Sequence, residues 1–346
     1  MAAPALIIGA GMATKLNLSR RDLIAAIGAA VLAPRAALAQ SPGTKHIGVL
    51  MPTSENDPEV SDLGAVFRQS LEELGWVGGR NLSVDYRWGG GDERRIVTLA
   101  AQMVASAPDA ILAGGAPVVA PLKRDTTTIP IVFISASDPV RQGFVADLSH
   151  PGGNITGFSN FEPTMGAKWL GLLKEIAPGL VRVAVLYNPV TAPYVDSFLR
   201  SVEGAAPALG VTADGVQLHE EGDIEPAMAG LAKKGSGGGL LVPSDVFTLN
   251  HADTVVTLAN KYRLPAIYSF RVVALNGGLV SWGVNLGEQL RLAAKYIDRI
   301  LSGTSPGDLP VLQPSRFTLV LNKKAAAAIG LQFPPAVLAR ADEVIE

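Results

Sequence analysis

The stretch Pro151-Gly152-Gly153-Asn154-Ile155-Thr156-Gly157-Phe158-Ser159-Asn160 has a counterpart far along the chain. It is Asn276-Gly277-Gly278-Leu279-Val280-Ser281-Trp282-Gly283-Val284-Asn285. Each copy opens on a Gly-Gly pair, runs through a short apolar strand with an aromatic, and closes on Asn. The glycine pair predicts a turn with positive φ. Each copy leads into an amphipathic helix, over 165–176 and 286–301. We read the two copies as the places where the chain leaves one lobe of a two-lobed α/β protein and enters the other. A cleft between the lobes is then the functional site.

Working outward, the same order of elements occurs twice. His46-Ile47-Gly48-Val49-Leu50-Met51 is apolar without alternation, as expected of a parallel strand buried on both faces. Helix 62–74, strand 82–88, helix 93–106, strand 109–113, helix 118–124, strand 129–134 and a short helix over 140–148 follow. The second half matches it with strand 181–187, helix 194–209, strand 211–218, helix 224–233, strand 239–242, helix 250–262 and strand 264–268. Strands alternating with helices at this spacing predict parallel sheets with right-handed crossovers. A repeat this long is a duplicated lobe, not a solenoid. Beyond a Gly/Pro/Ser-rich linker at 302–310, residues 311–321 read as extended and 323–329 as helical. The tail is expected to cross between the lobes once more.

Composition narrows the function classes. The 346 residues include 48% hydrophobic and 17% charged, which excludes a disordered chain and suits two packed domains. The net charge is -2 and no long basic run occurs, so nucleic acid is not the expected partner. The chain has no cysteine, which excludes disulfides, thiolate metal sites, a Cys nucleophile and a lipid-modified N-terminal Cys.

The N-terminus reads as an export signal. Ser19-Arg20-Arg21-Asp22-Leu23-Ile24 is a twin-arginine pattern, and a short apolar core follows it. Ala37-Leu38-Ala39 then forms an A-x-A cleavage site before Gln40. The core is too short to span a bilayer. Either Met1 or Met12 serves as the start, and the mature chain is expected in the periplasm from about Gln40.

Ligands of open parallel sheets bind beyond the carboxyl ends of the strands. The loops there are rich in Ser, Thr, Asn and Asp, with Tyr187, Tyr194, Phe247, Tyr268 and Phe270 close by. Hydroxyls and helix-start N–H groups suit a ligand carboxylate. Asp138 or Asp245 would meet an ammonium, and the aromatics offer a flat apolar wall. Each residue has a plainer reading. Asp138 before Pro139 can start a turn, Ser244-Asp245 can cap a helix, and Tyr187 and Tyr268 can be core residues.

Enzyme signatures are missing. There is no G-x-x-x-x-G-K-[ST] and no G-x-G-x-x-G after the first strand. His46, His150, His219 and His251 lack metal-ligand spacing. We therefore expect no metal, no cofactor and no catalysis.

Several stretches resemble the substrate-binding components of ABC importers, in the branch that includes tryptophan- and tyrosine-binding proteins. They include Thr127-Thr128-Ile129-Pro130-Ile131-Val132-Phe133, Ser137-Asp138-Pro139-Val140, Pro151 to Gly157, Leu186-Tyr187-Asn188-Pro189, Pro265-Ala266-Ile267-Tyr268 and Leu338-Ala339-Arg340-Ala341-Asp342-Glu343. The resemblance spans nearly all of the mature chain. It implies a type I periplasmic binding protein fold, with two Rossmann-like parallel-sheet lobes joined by a three-strand hinge. The division would be a signal over 1–39, an N-lobe over 44–158 plus 284–313, and a C-lobe over 159–283 plus 314–346. It implies ligand contacts at Ser54, Ala116, Ser137, Asp138, Asn188, Tyr194, Asp245 and Tyr268. The ligand would be an amino acid, an aromatic one among them, or an aromatic or small carboxylate. The partner would be an inner-membrane ABC permease, and the protein a monomer. The family often has Arg-Glu-Phe where this chain has Arg271-Val272-Val273, and Ser-Tyr-Gly where it has Ser281-Trp282-Gly283. A sensor feeding a receptor from the same fold, or an exported enzyme, are the alternatives.

Overall fold

The computed structural model describes residues 43–346 apart from 56, 57, 161, 163, 234 and 236. The export-signal segment lies outside the described residues. Two sheets organise the chain. The first has five strands, all parallel, in the order β2-β1-β3-β4-β5. These are β1 (Lys45–Met51), β2 (Leu82–Trp88), β3 (Ala110–Gly114), β4 (Ile131–Ala136) and β5 (Ile155–Ser159). The second has seven, in the order β12-β11-β10-β9-β8-β6-β7. They are β6 (Arg182–Tyr187), β7 (Thr212–Gln217), β8 (Gly238–Val242), β9 (Ala266–Tyr268), β10 (Val280–Gly283), β11 (Thr318–Asn322) and β12 (Glu343–Ile345).

The duplication is visible in the strand order. β7-β6-β8-β9-β10 repeats β2-β1-β3-β4-β5, and β11 and β12 extend the second sheet. β3 is buried at every position, as an apolar run without alternation requires when helices cover both faces. On the first sheet, α1 (Pro58–Glu73) covers one face, and α2 (Glu93–Ala105) and α3 (Ala116–Asp125) the other. On the second, α4 (Met165–Ile176) and α5 (Val195–Ala205) face α6 (Ile224–Lys233) and α8 (Ala252–Lys261) across the strands, with the short α7 (Val246–Asn250) at the strand end.

The doubled stretch exchanges helices between the lobes. After β5 the chain passes Asn160 into α4, which buries Trp169, Leu170 and Leu173 against the second sheet. After β10 it passes Asn285 into α10 (Leu286–Leu301), which buries Leu290, Ala293 and Ile297 against the first. Between β9 and β10 lies α9 (Arg271–Leu275). The first glycine of each pair holds the turn, with φ of +76° at Gly152 and +102° at Gly277. A third strand of chain returns beside β5, where Ser159 N donates to Leu312 O at 2.9 Å and Leu312 N to Gly157 O at 3.0 Å.

One expectation needs correction, and others gain detail. Residues 140–148 form turns, not a helix, because Asp138 and Gly143 hold φ of +42° and +68°. The helix expected over 250–262 is α8, and the short α7 precedes it, with His251 between them. The connection after β9 holds the short helix α9. Within 311–321, Leu312 bridges to Phe158 and the segment from Thr318 enters β11, which runs antiparallel to β10. β10 leads out to a crossing and β11 comes back from one at the same end of the sheet, so the two must run in opposite directions. β12 follows α11 (Lys323–Ala328) and α12 (Pro335–Leu338) and closes the edge of the second sheet.

Candidate functional site

A cavity of about 90 Å³ lies where the carboxyl ends of the two sheets face each other. At 10–15 Å³ per water centre, that is room for about six to nine waters, or about 200 Å³ of liquid. A single ring with a short polar arm fits. Met51, Pro52 and Ile134 from the first lobe and Val246, Leu249 and Phe270 from the second form apolar walls. Thr53, Ser135, Ser137, Thr191, Tyr194 and Ser244 place hydroxyls around them. A mostly apolar hollow with a few polar groups is the usual form of a small-molecule site.

The end of β4 is bent to serve this hollow. The β4–β5 register shifts between Ile134 and Ala136, and Ser135 between them holds a φ of +54°. A bulge with a residue in this strained region re-aims a side chain. Its backbone N–H finds Gln289 Oε1 at 2.9 Å instead of a strand partner. Two residues on, the Ser137 hydroxyl donates to Asn160 Oδ1 at 2.6 Å. Asn160 Nδ2 donates in turn to Ser135 Oγ at 3.0 Å and Ser244 Oγ at 2.8 Å. One amide at the first crossing thus joins hydroxyls of both lobes.

Three of the eight residues implied by the resemblance line the cavity. Ala116 opens α3, Ser137 is 3% exposed, and Tyr194 donates its hydroxyl to Ser244 O. Burial first, and the charge of Asp245 second, push the Tyr194 phenol well above its ordinary value. The other five lie outside the wall. Ser54 is exposed in the loop beyond Thr53. Asp138 is half-buried, with its carboxylate 3.5 Å from Ser197 Oγ in the opposite lobe. Asn188 shapes the Thr191 loop, its Oδ1 accepting from Val190 N at 2.8 Å and Thr191 N at 3.3 Å.

Asp245 follows the capping alternative. It is 2% exposed and accepts from Asn188 N at 2.8 Å, from Phe247 N at 3.0 Å and from the Thr191 hydroxyl. Burial pushes its carboxyl up from the ordinary range, while these hydrogen bonds pull the other way. Tyr268 follows the core alternative, at 2% exposure as the last residue of β9, and burial raises its phenol. Its ring lies against Gly278, where an added Cβ would sit 2.9 Å from Cε2.

The sequence pattern gives Ser135 and Thr191 no role and Ser244 only that of a helix cap. All three sit in loops at strand ends. Asn160 carried one signal, its recurrence as the last residue of each doubled stretch. The recurrence has two meanings, since Asn285 caps α10 by accepting from Glu288 N at 3.0 Å. Trp282 lines a smaller void of about 30 Å³ behind Tyr194 and Ser244.

The lobes touch beside the cavity. Arg141 Nη1 donates to Ser197 Oγ at 2.9 Å, and Nη2 lies 3.3 Å from Asp196 Oδ2. On another rim an added Cβ at Gly91 would meet Asn250 Nδ2 at 2.2 Å.

A family model described as ABC transporter substrate binding protein matches residues 46–345. The chain belongs to that family. Among curated relatives of this binding-protein family, the tyrosine-binding protein of Clostridioides difficile (strain R20291) is 25% identical over 290 residues, covering 83% of this chain and 81% of its own. A solved family structure from Streptococcus pneumoniae, in complex with L-Trp, has a TM-score of 0.79 and 26% identity, covering 87% of this chain and all of that one (100%). A conserved domain protein from Vibrio cholerae O1 biovar El Tor has a TM-score of 0.79 and 28% identity, covering 87% and 99%. The architecture is that of the type I periplasmic binding proteins. Among the described residues of this substrate-binding protein, no helix is long and apolar enough to cross a membrane.

Proposed function

We propose that this substrate-binding protein is the exported component of an ABC importer. It works in the periplasm, reached through the signal over 1–39, and delivers one small ligand to an inner-membrane permease as a monomer. The lobes divide as 44–158 plus 284–313 and 159–283 plus 314–346. They close on a ligand in the cavity between them, and no chemistry is done. The observation that carries this reading is the shared wall, because corresponding strand ends of both lobes supply it. A ligand touching both lobes biases the closed state. Phe270 and the aliphatic walls favour a flat apolar body, and the hydroxyls a polar arm. An aromatic amino acid, or an aromatic or small carboxylate, has that form, and the tyrosine-binding relative and the tryptophan-bound structure support it.

The test is native mass spectrometry of the purified mature protein, with identification of any released molecule, followed by a thermal-shift screen of amino acids and aromatic acids. Binding to the native state alone raises the melting temperature by linkage. Release of an unmodified aromatic acid, and a smaller radius of gyration with it bound, is the expected result. A tightly held redox cofactor, or turnover of the ligand, would overturn the reading.

A further inference from the structure

Among the described residues, no charged side chain lines the cavity. The acids at the strand ends, which could meet a ligand ammonium, are engaged elsewhere. Asp92 caps α2, accepting from Arg94 N at 2.8 Å and Arg95 N at 3.1 Å. Asp138 lies outside the wall and accepts from Arg141 N at 3.4 Å, with Ser197 Oγ 3.5 Å away. Asp245 is 2% exposed and accepts from Asn188 N, Phe247 N and the Thr191 hydroxyl, all within its own lobe. The neutral oxygens of the wall are partly taken as well, since Ser135 Oγ and Ser244 Oγ each accept from Asn160 Nδ2. An ammonium moved from water into an apolar hollow with no carboxylate opposite it loses more hydration than such oxygens return.

A carboxylate is better placed. Ala116 opens α3 at the wall, and by that position its N–H has no intrahelical acceptor. The first turn of α3 holds no acidic residue to cancel its positive end. We infer that the ligand is an aromatic acid without an α-ammonium, and that the neutral wall excludes the amino acid of the same skeleton. The inference rests on the small-ligand reading above and chooses within it. It sets this chain apart from the tyrosine-binding relative and the tryptophan-bound structure.

Val272, in α9, brings a half-buried aliphatic side chain to the wall, where a carboxylate would supply the missing partner. The experiment is calorimetric titration with two pairs of compounds that differ only in the amine. These are L-tryptophan with 3-(indol-3-yl)propionate, and L-tyrosine with 3-(4-hydroxyphenyl)propionate. Wild type should bind at least one amine-free acid, and hold it about tenfold or more tighter than the matching amino acid. Val272→Glu should move that ratio about tenfold or more toward the amino acid. Val272→Gln, of the same length without the charge, should leave it within about threefold of wild type. Wild type binding an amino acid as tightly as its amine-free partner, or more tightly, overturns the inference while the binding reading stands, and this outcome needs no variant to fold. An equal shift in Val272→Glu and Val272→Gln, or no shift in either, overturns the role given to the neutral wall. Failure of wild type to bind any of the four compounds overturns the aromatic ligand class and the inference together.

Discussion

Gln289 Oε1 accepts the backbone N–H of Ser135 at 2.9 Å, at the strained residue where β4 breaks register. The same amide donates through Nε2 to Ser159 O at 3.0 Å. A side chain that reaches the first lobe from the second crossing thus holds the ends of two of its strands. Replacing Gln289 by Leu takes the acceptor from the part-buried N–H of Ser135 and one donor from the buried Ser159 O. The expected cost is about 1–3 kcal/mol, from about 0.5–1.5 kcal/mol per hydrogen bond lost. Urea unfolding measures it. A loss under about 1 kcal/mol would mean that water replaces the amide.

Asp245 gives the stability a pH signature. Its carboxyl is raised in the folded chain, so the folded state holds the proton more tightly than the unfolded one. The contribution is fully present below the unfolded pKa and fades as pH rises through the folded one. Asp245→Asn should remove that descending segment just above the ordinary carboxylate range, seen as a flatter curve of unfolding free energy against pH. An unchanged slope would assign it elsewhere. Asp245→Ala should instead cost about 2–3 kcal/mol, because the N–H groups of Asn188 and Phe247 lose their acceptor.

Arg141 and Asp196 meet across the lobes at 3.3 Å, both well exposed. An exposed pair contributes at most about 1 kcal/mol, and salt screens it. Arg141→Ala should therefore raise the radius of gyration of the unliganded protein in small-angle scattering at low salt and weaken ligand binding no more than about fivefold. The difference from wild type should vanish at high salt. A salt-independent loss would place Arg141 in direct contact with ligand.

Gly157 sits against β4 with no room for a side chain. An added Cβ would lie 2.1 Å from Phe133 O, at a φ of +153°. Backbone cannot yield as a side-chain tip can, so Gly157→Ala must part β4 from β5. A cost of about 3 kcal/mol is expected, at the upper end for overpacking. Thermal unfolding checks it, and a wild-type melting temperature would show that the strands part freely.

Much of the architecture was legible in local pattern. Apolar runs such as Ile47 to Met51 and the helical spacing of 286–301 mark faces that must be buried, and a repeated order of such faces implies a repeated lobe. The Gly-Gly pairs fell where the turns with positive φ fall, because few other residues tolerate that backbone. The pattern did not distinguish the direction of β11, which depends on where the third crossing re-enters the sheet. Nor did it separate Ser137 and Tyr194, which face the cavity, from Asp245 and Tyr268, which do not. All four residues sit in or beside strand-end loops of the right composition. A one-residue bulge at Ser135 and the bridge from Asn160 to Ser244 belong to the tertiary structure alone. Residues 135, 160 and 244 lie far apart in the chain, and their hydrogen bonds exist only once both lobes are folded and brought together. Periodicity records which face of an element avoids water; it holds no record of which distant group will take a given hydroxyl's lone pair.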